Sequence, residues 1–249
     1  MNDTPGNHPL LSLPLLGTVH TDTIVITWIT MVVGLVFFAI IGASYRSHMR
    51  TKTQTVLEGG IDALSDLAFG VLGRNAETFV PFFVALFAFI FLLNQIGTVP
   101  FKELHFLWGG SPTSDLNTTA VLALLVFFLI QAVGIRRHGL GFYGHLANPR
   151  LGPGTVLIVA LNTLDEILRP VTLALRLFGN IFAGEILLFI VASVIVQHVQ
   201  VGPVNVSLAA TVGPILVLLF NIFVGTLQAF VFTLLTIVYM SAAVADDAH

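Results

Sequence analysis

Cysteine is absent from the 249 residues, so disulfides and thiolate metal sites are excluded. Charge is scarce too. Asp, Glu, Lys and Arg make up 9% of the chain, where a soluble domain carries about 25%. The first twenty residues contain neither Lys nor Arg. A cleaved signal peptide needs a basic start, so Met1–His20, with Asp3, Pro5, Pro9 and Pro14, reads as a polar lead-in to a first span. An uncleaved signal anchor is the alternative there, and it leaves the rest unchanged. No GxxxxGK[ST] run is present to cradle a nucleotide phosphate. What is abundant is apolar: 56% hydrophobic residues, 21 of the residues Phe, and a mean hydropathy of +0.95. The bilayer is the expected solvent. The net charge of −3 matters less than where the charges sit.

Five apolar stretches are long enough to cross a hydrocarbon core ~30 Å thick, which takes ~20 helical residues. They run over about Thr23–Tyr45, Phe79–Val99, Leu116–Ile135, Val156–His198 and Leu208–Ala243. Arg46, Arg50, Lys52, Arg74, Arg136, Arg137 and Arg150 all fall on one side of such a five-span chain, and Lys102 falls on the other. The positive-inside rule makes the first side cytoplasmic. The N-terminus is then outside, and the C-terminus, with Asp246 and Asp247, is inside. Residues 55–75 combine helix-period apolar positions with Glu58, Asp62 and Asp66. They read as an amphipathic helix on the cytoplasmic surface or as a loop helix gripping a partner. The expected fold is all-α: a polytopic membrane protein with five membrane-crossing helices and one cytoplasmic-surface amphipathic helix. Residues 1–22 form an extracytoplasmic tail and residues 23–249 a single membrane domain.

The last two stretches are too long to stand upright. About 43 residues (156–198) give roughly 64 Å of helix, and about 36 (208–243) give roughly 54 Å. Strong tilt, kinks or projection beyond the membrane follow. Pro170 and the Gly213-Pro214 pair are candidate bends. Two pairs of short helices are the alternative, with residues 162–169 as the place for a break.

The fourth stretch carries Asn162, Asp165, Glu166, Arg169, Arg176, Asn180 and Glu185. Each ionisable group in a span costs at least ~2.5–3.5 kcal/mol on insertion scales, so such groups face protein or water and mark ion or substrate paths. At about 100° per residue, Asn162, Asp165, Arg169 and Asn180 fall within about 40° of Arg176, and Glu185 falls about 180° away. An arginine on one face and a glutamate on the other suggest two aqueous environments separated by the helix. An internal ion pair of Asp165 with Arg169 is the competing reading. Arg176 has no acid three or four residues away. In the fifth stretch Asn221 and Gln228 lie seven residues apart, hence on one face, where they either line a path or only bond neighbouring helices. Gly179, Ala183 and Gly184 permit close approach of another helix.

The run Leu173-Ala174-Leu175-Arg176-Leu177-Phe178-Gly179-Asn180-Ile181-Phe182-Ala183-Gly184-Glu185 closely resembles the signature of subunit a of F-type ATP synthases. The run Gly225–Phe232 followed by Leu234-Leu235-Thr236 resembles that family's last helix, and Pro170 and Ser114-Asp115-Leu116-Asn117 fit as well. The resemblance covers most of the chain from Phe79 onward; the N-terminal fifth matches in general plan only. It implies a stator subunit of the bacterial inner membrane that abuts a ring of c subunits, contacts the b-subunit stalk and the remaining subunits, and offers two offset half-channels to protons. It implies that Arg176 favours the ionised c-ring carboxylate and blocks a direct leak. Glu185 matches the inlet acid, with Asn180 and Gln228 near the arginine and Asp115 at the outer mouth. Asp165 and Glu166 are the candidate outlet groups, because Asn162 stands where some relatives carry a carboxylate. Asn221 departs from the family, which places a His or an acid there. The expected inlet therefore relies on Glu185 and water, with Asn221 only orienting the water and His198 read as interfacial.

No cofactor, metal or nucleic acid is implied, and phosphate chemistry falls to other subunits. H⁺ is favoured over Na⁺ as the commoner case, since the binding carboxyl would lie on the c subunit. A secondary transporter is the competing function, but transporters show paired broken segments, and the Arg176 region has no second copy. A sensory or scaffolding protein would not need so many intramembrane charges.

Overall fold

The computed structural model describes residues 10–13, 17–43, 52–96, 112–139, 155–198 and 206–244. Helices dominate: α1 (Thr21–Ala43), α2 (Lys52–Leu72), α3 (Ala76–Ile96), α4 (Leu116–His138), α5 (Thr155–His198) and α6 (Val206–Val244). Short 3₁₀ turns at Gly73–Asn75 and Pro112–Ser114 lead into α3 and α4. Four stretches are long and apolar enough to cross a membrane: Gln54–Ile96, which contains α3, then Leu116–His138, Val159–Val191 and Ile215–Val244. A shorter apolar stretch, Ile24–Val36, lies in α1. Large apolar side chains are exposed on these helices, among them Trp28 at 62%, Phe128 at 64% and Phe223 at 61%. Such surface suits lipid and not water. The chain is a multi-pass membrane protein.

The lead-in to α1 holds one feature the sequence did not suggest. Leu10–Leu13 and Gly17–His20 pair as antiparallel strands β1 and β2, with Leu10 opposite His20 and Leu13 opposite Gly17. Arg46, Arg50, Lys102, Arg150, Asp246 and Asp247 lie outside the described residues, as do residues 97–99 at the expected end of the second span. The side chain of His198 is likewise not described.

Local chemistry explains the boundaries. α2 stops at Leu72 because Gly73 adopts φ 58°, a left-handed conformation that glycine takes at no steric cost. Its buried stripe, Leu64, Ala68 and Leu72, continues into Ala76 of α3, while Asp62 and Asp66 stay exposed. α4 begins at an Asp115 cap: the carboxylate Oδ1 accepts the Asn117 backbone N–H at 2.9 Å. It runs three residues beyond the expected Ile135, since Arg136, Arg137 and His138 suit a helix C-terminus. Gly139, at φ 61°, then closes it.

α5 and α6 are continuous helices of 44 and 39 residues, so neither is a pair of shorter ones. Pro170 sits inside α5. At 1.5 Å per residue they extend roughly 66 and 58 Å, so they fit a ~30 Å core only by tilting, bending or projecting.

The chain divides into two compact units, and α3, α4, α5 and α6 each contribute to both. The first comprises Met1–Ser44, Ala88–Thr119 and Leu177–Phe230; the second comprises Tyr45–Phe87, Ala120–Arg176 and Val231–His249. The first buries Ile26, Ile90, Leu93, Leu177 and Ile181, and the second buries Phe83, Val126, Leu173, Phe232, Ile237 and Met240. α5 passes from the second unit to the first at Arg176.

Candidate functional site

In the first unit, two polar contacts join α5 and α6, one turn apart on α5 and two turns apart on α6. Asn180 Nδ2 donates to Gln228 Oε1 at 2.8 Å. Gln228 is 3% exposed, and its Nε2 has no hydrogen-bond partner among the described residues. A buried amide donor left unmade costs about 1–3 kcal/mol. One turn further along α5, Asn221 Nδ2 donates to the Gly184 carbonyl at 3.4 Å. Gly184 is glycine for a steric reason: a Cβ there would lie 2.5 Å from Asn221 Oδ1 and 3.2 Å from its Cγ. Glu185 follows, half-buried and engaged with neighbours. Asp115 is 7% exposed at the head of α4, where its carboxylate serves as a cap.

The Gly184 contact gives a direct expectation. Gly184→Ala should push the Asn221 amide aside and destabilise the protein in detergent by an overpacking cost of ~1 kcal/mol. Asn221→Ala in the same chain removes the obstructing amide and should recover most of the loss. Equal deficits in the single and double variants, measured as thermal stability in detergent, would show that the two residues do not act on each other.

In the second unit, ionisable groups are tied together. Arg169 donates to Asp165 Oδ2 at 3.2 Å and pairs with Glu166 Oε2 at 3.6 Å. Its guanidinium also lies over the Tyr239 ring, 5.2 Å from the centroid. Glu166 Oε1 accepts from Gln131 Nε2 at 2.6 Å. The two carboxylates differ in access, for the Asp165 side chain is 70% exposed and that of Glu166 is 12%. Beside Glu166 a cavity of about 390 Å³ opens among Phe127, Phe128, Gln131, Ile135, Thr163 and Ile167.

Arg176 contrasts with Arg169. It stands at the middle of α5 and is exposed, and no ion pair or hydrogen bond engages its guanidinium among the described residues. Along α5 the exposed face continues through Gly179, Asn180 and Ala183, at the three- and four-residue steps of one helix side. A Cβ on Gly179 would meet nothing within 4 Å.

Of the residues expected from sequence, Asn180 is joined to Gln228, and Asn221 to the backbone beside Glu185. Asp165 and Glu166 gather around Arg169. Gln131 and Tyr239 were not anticipated. Gln131 was detectable as an amide deep in the third apolar stretch, separated from the polar residues 117–119 by eleven apolar ones; nothing in the sequence sets Tyr239 apart from an interfacial aromatic. No cluster of three or more His, Cys, Asp or Glu suited to a metal occurs among the described residues.

Long apolar helices, polar contacts between them and an arginine at the centre of the longest, paired with nothing among the described residues, mark a multi-pass membrane protein with polar groups inside its spans. Comparison with known proteins makes this specific. The family model for the ATP synthase A chain matches residues 24–241. An ATP synthase subunit a of Desulforamulus reducens is 35% identical over 93% of this chain and 82% of its own length. That of Bacillus subtilis is 33% identical over 97% and 99%, and that of Gloeobacter violaceus is 29% identical over 99% and 97%. The chain belongs to the ATP synthase subunit a family, the proton-translocating subunit of the synthase's membrane sector.

Proposed function

We propose that this chain is the stator half of the proton path, with Arg176 facing a rotating ring of c subunits. The observation that carries the reading is the guanidinium at the middle of α5, exposed and paired with nothing among the described residues. A cation in a span needs a counter-charge or water. Among the described residues acids pair with Arg169 and none with Arg176, and a counter-charge on another subunit would meet that need. A mid-membrane carboxylate on each c subunit fits that demand. Gly179 and Ala183, on the same face, leave room for the ring's helices to pass.

Protons enter through the first unit, past Glu185 and the neighbouring contacts of Asn180 with Gln228 and of Asn221 with the Gly184 carbonyl, with Asp115 at the outer mouth. They leave through the second, past Asp165. Its exposure suits a group exchanging protons with water, whereas Glu166 is held by Gln131 and Arg169 and keeps that arginine in place. The side bearing Arg74, Arg136 and Arg137 is cytoplasmic, the N-terminus is outside and the C-terminus inside. The b-subunit stalk anchors the chain, and nucleotide chemistry belongs to other subunits.

Cross-linking tests the assignment of the face. Gly179→Cys introduces a side chain into open space. In assembled synthase it should form a disulfide with a cysteine placed one turn from the c-subunit carboxyl, and ATP-driven rotation should stop until the bond is reduced. Phe128→Cys, also at an exposed position but on α4, should not link. Linking from 128 and not from 179 would assign the ring to a different face.

A further inference from the structure

The polar groups that bind α6 from its other neighbours have no place in the path just described. Asn94, near the end of α3, is 3% exposed, and Thr113, in the 3₁₀ turn before α4, is fully buried. Thr113 Oγ1 donates to Asn94 Oδ1 at 2.8 Å, and Asn94 Nδ2 donates to the Gly225 carbonyl of α6 at 2.9 Å. The carbonyl can only accept, so the Asn94 amide has a single orientation that serves both partners. Next to it, Gln95 Nε2 reaches the Ile222 carbonyl at 3.2 Å and Thr226 Oγ1 at 3.3 Å. One turn of α6 is therefore gripped by its backbone, not only by side-chain packing. The grip depends on Gly225, where a Cβ would lie 3.2 Å from Asn94 Cβ and 3.3 Å from Gln95 Nε2.

We propose that Asn94, held by Thr113, is a positioning residue that sets the rotation of α6 and thereby aims Asn221 and Gln228 at α5. Gly225 lies about 40° around α6 from Asn221 and about 60° from Gln228 at 100° per residue. A bond to its carbonyl fixes the angle at which that face is presented. Apolar packing tolerates small rotations, because dispersion contacts are individually weak and non-directional. A hydrogen bond to one carbonyl does not, since it weakens steeply off its axis. The buried amide also has a large cost of leaving, because an unsatisfied amide in a water-free interior is penalised. A slip of one residue along α6 would turn Asn221 and Gln228 away by about 100° and undo both contacts with α5. The functional consequence, a disrupted inlet, rests on the proposed function; the positioning itself does not.

The test separates the two. In membranes bearing assembled synthase, Gly184→Cys with Asn221→Cys reports the α5–α6 register directly, because disulfides form only within narrow Cα and Cβ distances. Adding Asn94→Leu or Thr113→Val should lower the disulfide yield at least ~five-fold under limiting oxidant, given that geometric demand. Thr113→Ser, which keeps the hydroxyl, should preserve it. Thr113→Val is nearly isosteric and keeps the test open if Asn94→Leu impairs assembly. Unchanged yield in both apolar variants overturns the positioning role. In chains without the reporter cysteines, the same two variants should lower ATP-driven pumping at least ~five-fold, on the scale of losing buried hydrogen bonds, and Thr113→Ser should retain it. A fall in yield with pumping intact would uphold the positioning role and overturn the inlet assignment instead.

Discussion

ATP-driven acidification of inverted vesicles is expected to fall at least ~100-fold when Arg176 is replaced by alanine, with assembly of the synthase intact. The size follows from Coulomb's law. Two unit charges 4 Å apart interact by about 4 kcal/mol at an effective dielectric of 20, which is roughly three orders of magnitude in the equilibrium between ionised and protonated carboxyl. On the proposed function, a c-subunit carboxyl reaching α5 without the arginine would have no cation to hold it ionised, and would pass from one half-channel to the other still protonated. Passive proton permeability of membranes stripped of the catalytic sector should accordingly rise. Arg176→Ala is structurally mild, because the side chain is exposed and bonded to nothing among the described residues. Loss of pumping would therefore report loss of the charge.

Lysine separates charge from chemistry. Arg176→Lys keeps a cation but offers a compact ammonium that deprotonates when desolvated, whereas a guanidinium stays charged. Pumping in Arg176→Lys should therefore stay well below the parent level. The same substitution at Arg169 tests the contrast with a paired cation. That arginine bonds two carboxylates of its own helix and stacks on Tyr239. If Arg176→Ala pumped at more than about a tenth of the parent rate, a ~1.4 kcal/mol effect, the central role of this arginine would be lost.

The sequence exposes parts of this arrangement unevenly, and the reasons are physical. Spans of ~20 apolar residues are local and continuous, so composition reveals them. The lengths of α5 and α6 follow because no polar turn interrupts either. Arg176 is conspicuous because a lone charge in a span is costly and has no local acid to explain it. Contacts between distant segments are hidden. Asn94 meets Gly225 across 131 positions and Gln131 meets Glu166 across 35, and no periodicity marks either pair. Asp115 shows how one residue type supports two readings: an acid before a span suggests a channel mouth, and the structure shows it capping α4. The β1–β2 pair was hidden because each strand is only four residues long, too short for its alternation to stand out as a strand signal.

Replacing Glu185 by glutamine should reduce ATP-driven pumping at least ~30-fold, on the scale of removing a group that transfers a proton. Asn221→Ala should cost no more than about three-fold, near the ~0.6 kcal/mol average for a hydrogen bond inside a membrane bundle. The asymmetry comes from what each side chain can do. Glutamine preserves the shape and bonding of Glu185 but cannot take up and release a proton. Asn221 cannot do so in the first place, and its bond to the Gly184 carbonyl, at 3.4 Å, is long. Its removal frees space next to Gly184, which a water molecule with polar neighbours can occupy. Introducing a titratable group is the complementary experiment. Asn221→His should retain or raise the pumping of the parent chain, and it should partly restore Glu185→Gln, because the imidazole would stand one residue from the missing acid and can itself relay a proton. Vesicle acidification across this set decides between two inlets. Equal, large losses in Glu185→Gln and Asn221→Ala would mean that the amide is indispensable to the relay. A large loss in the first alone means that the proton crosses this part of the chain on Glu185 and water.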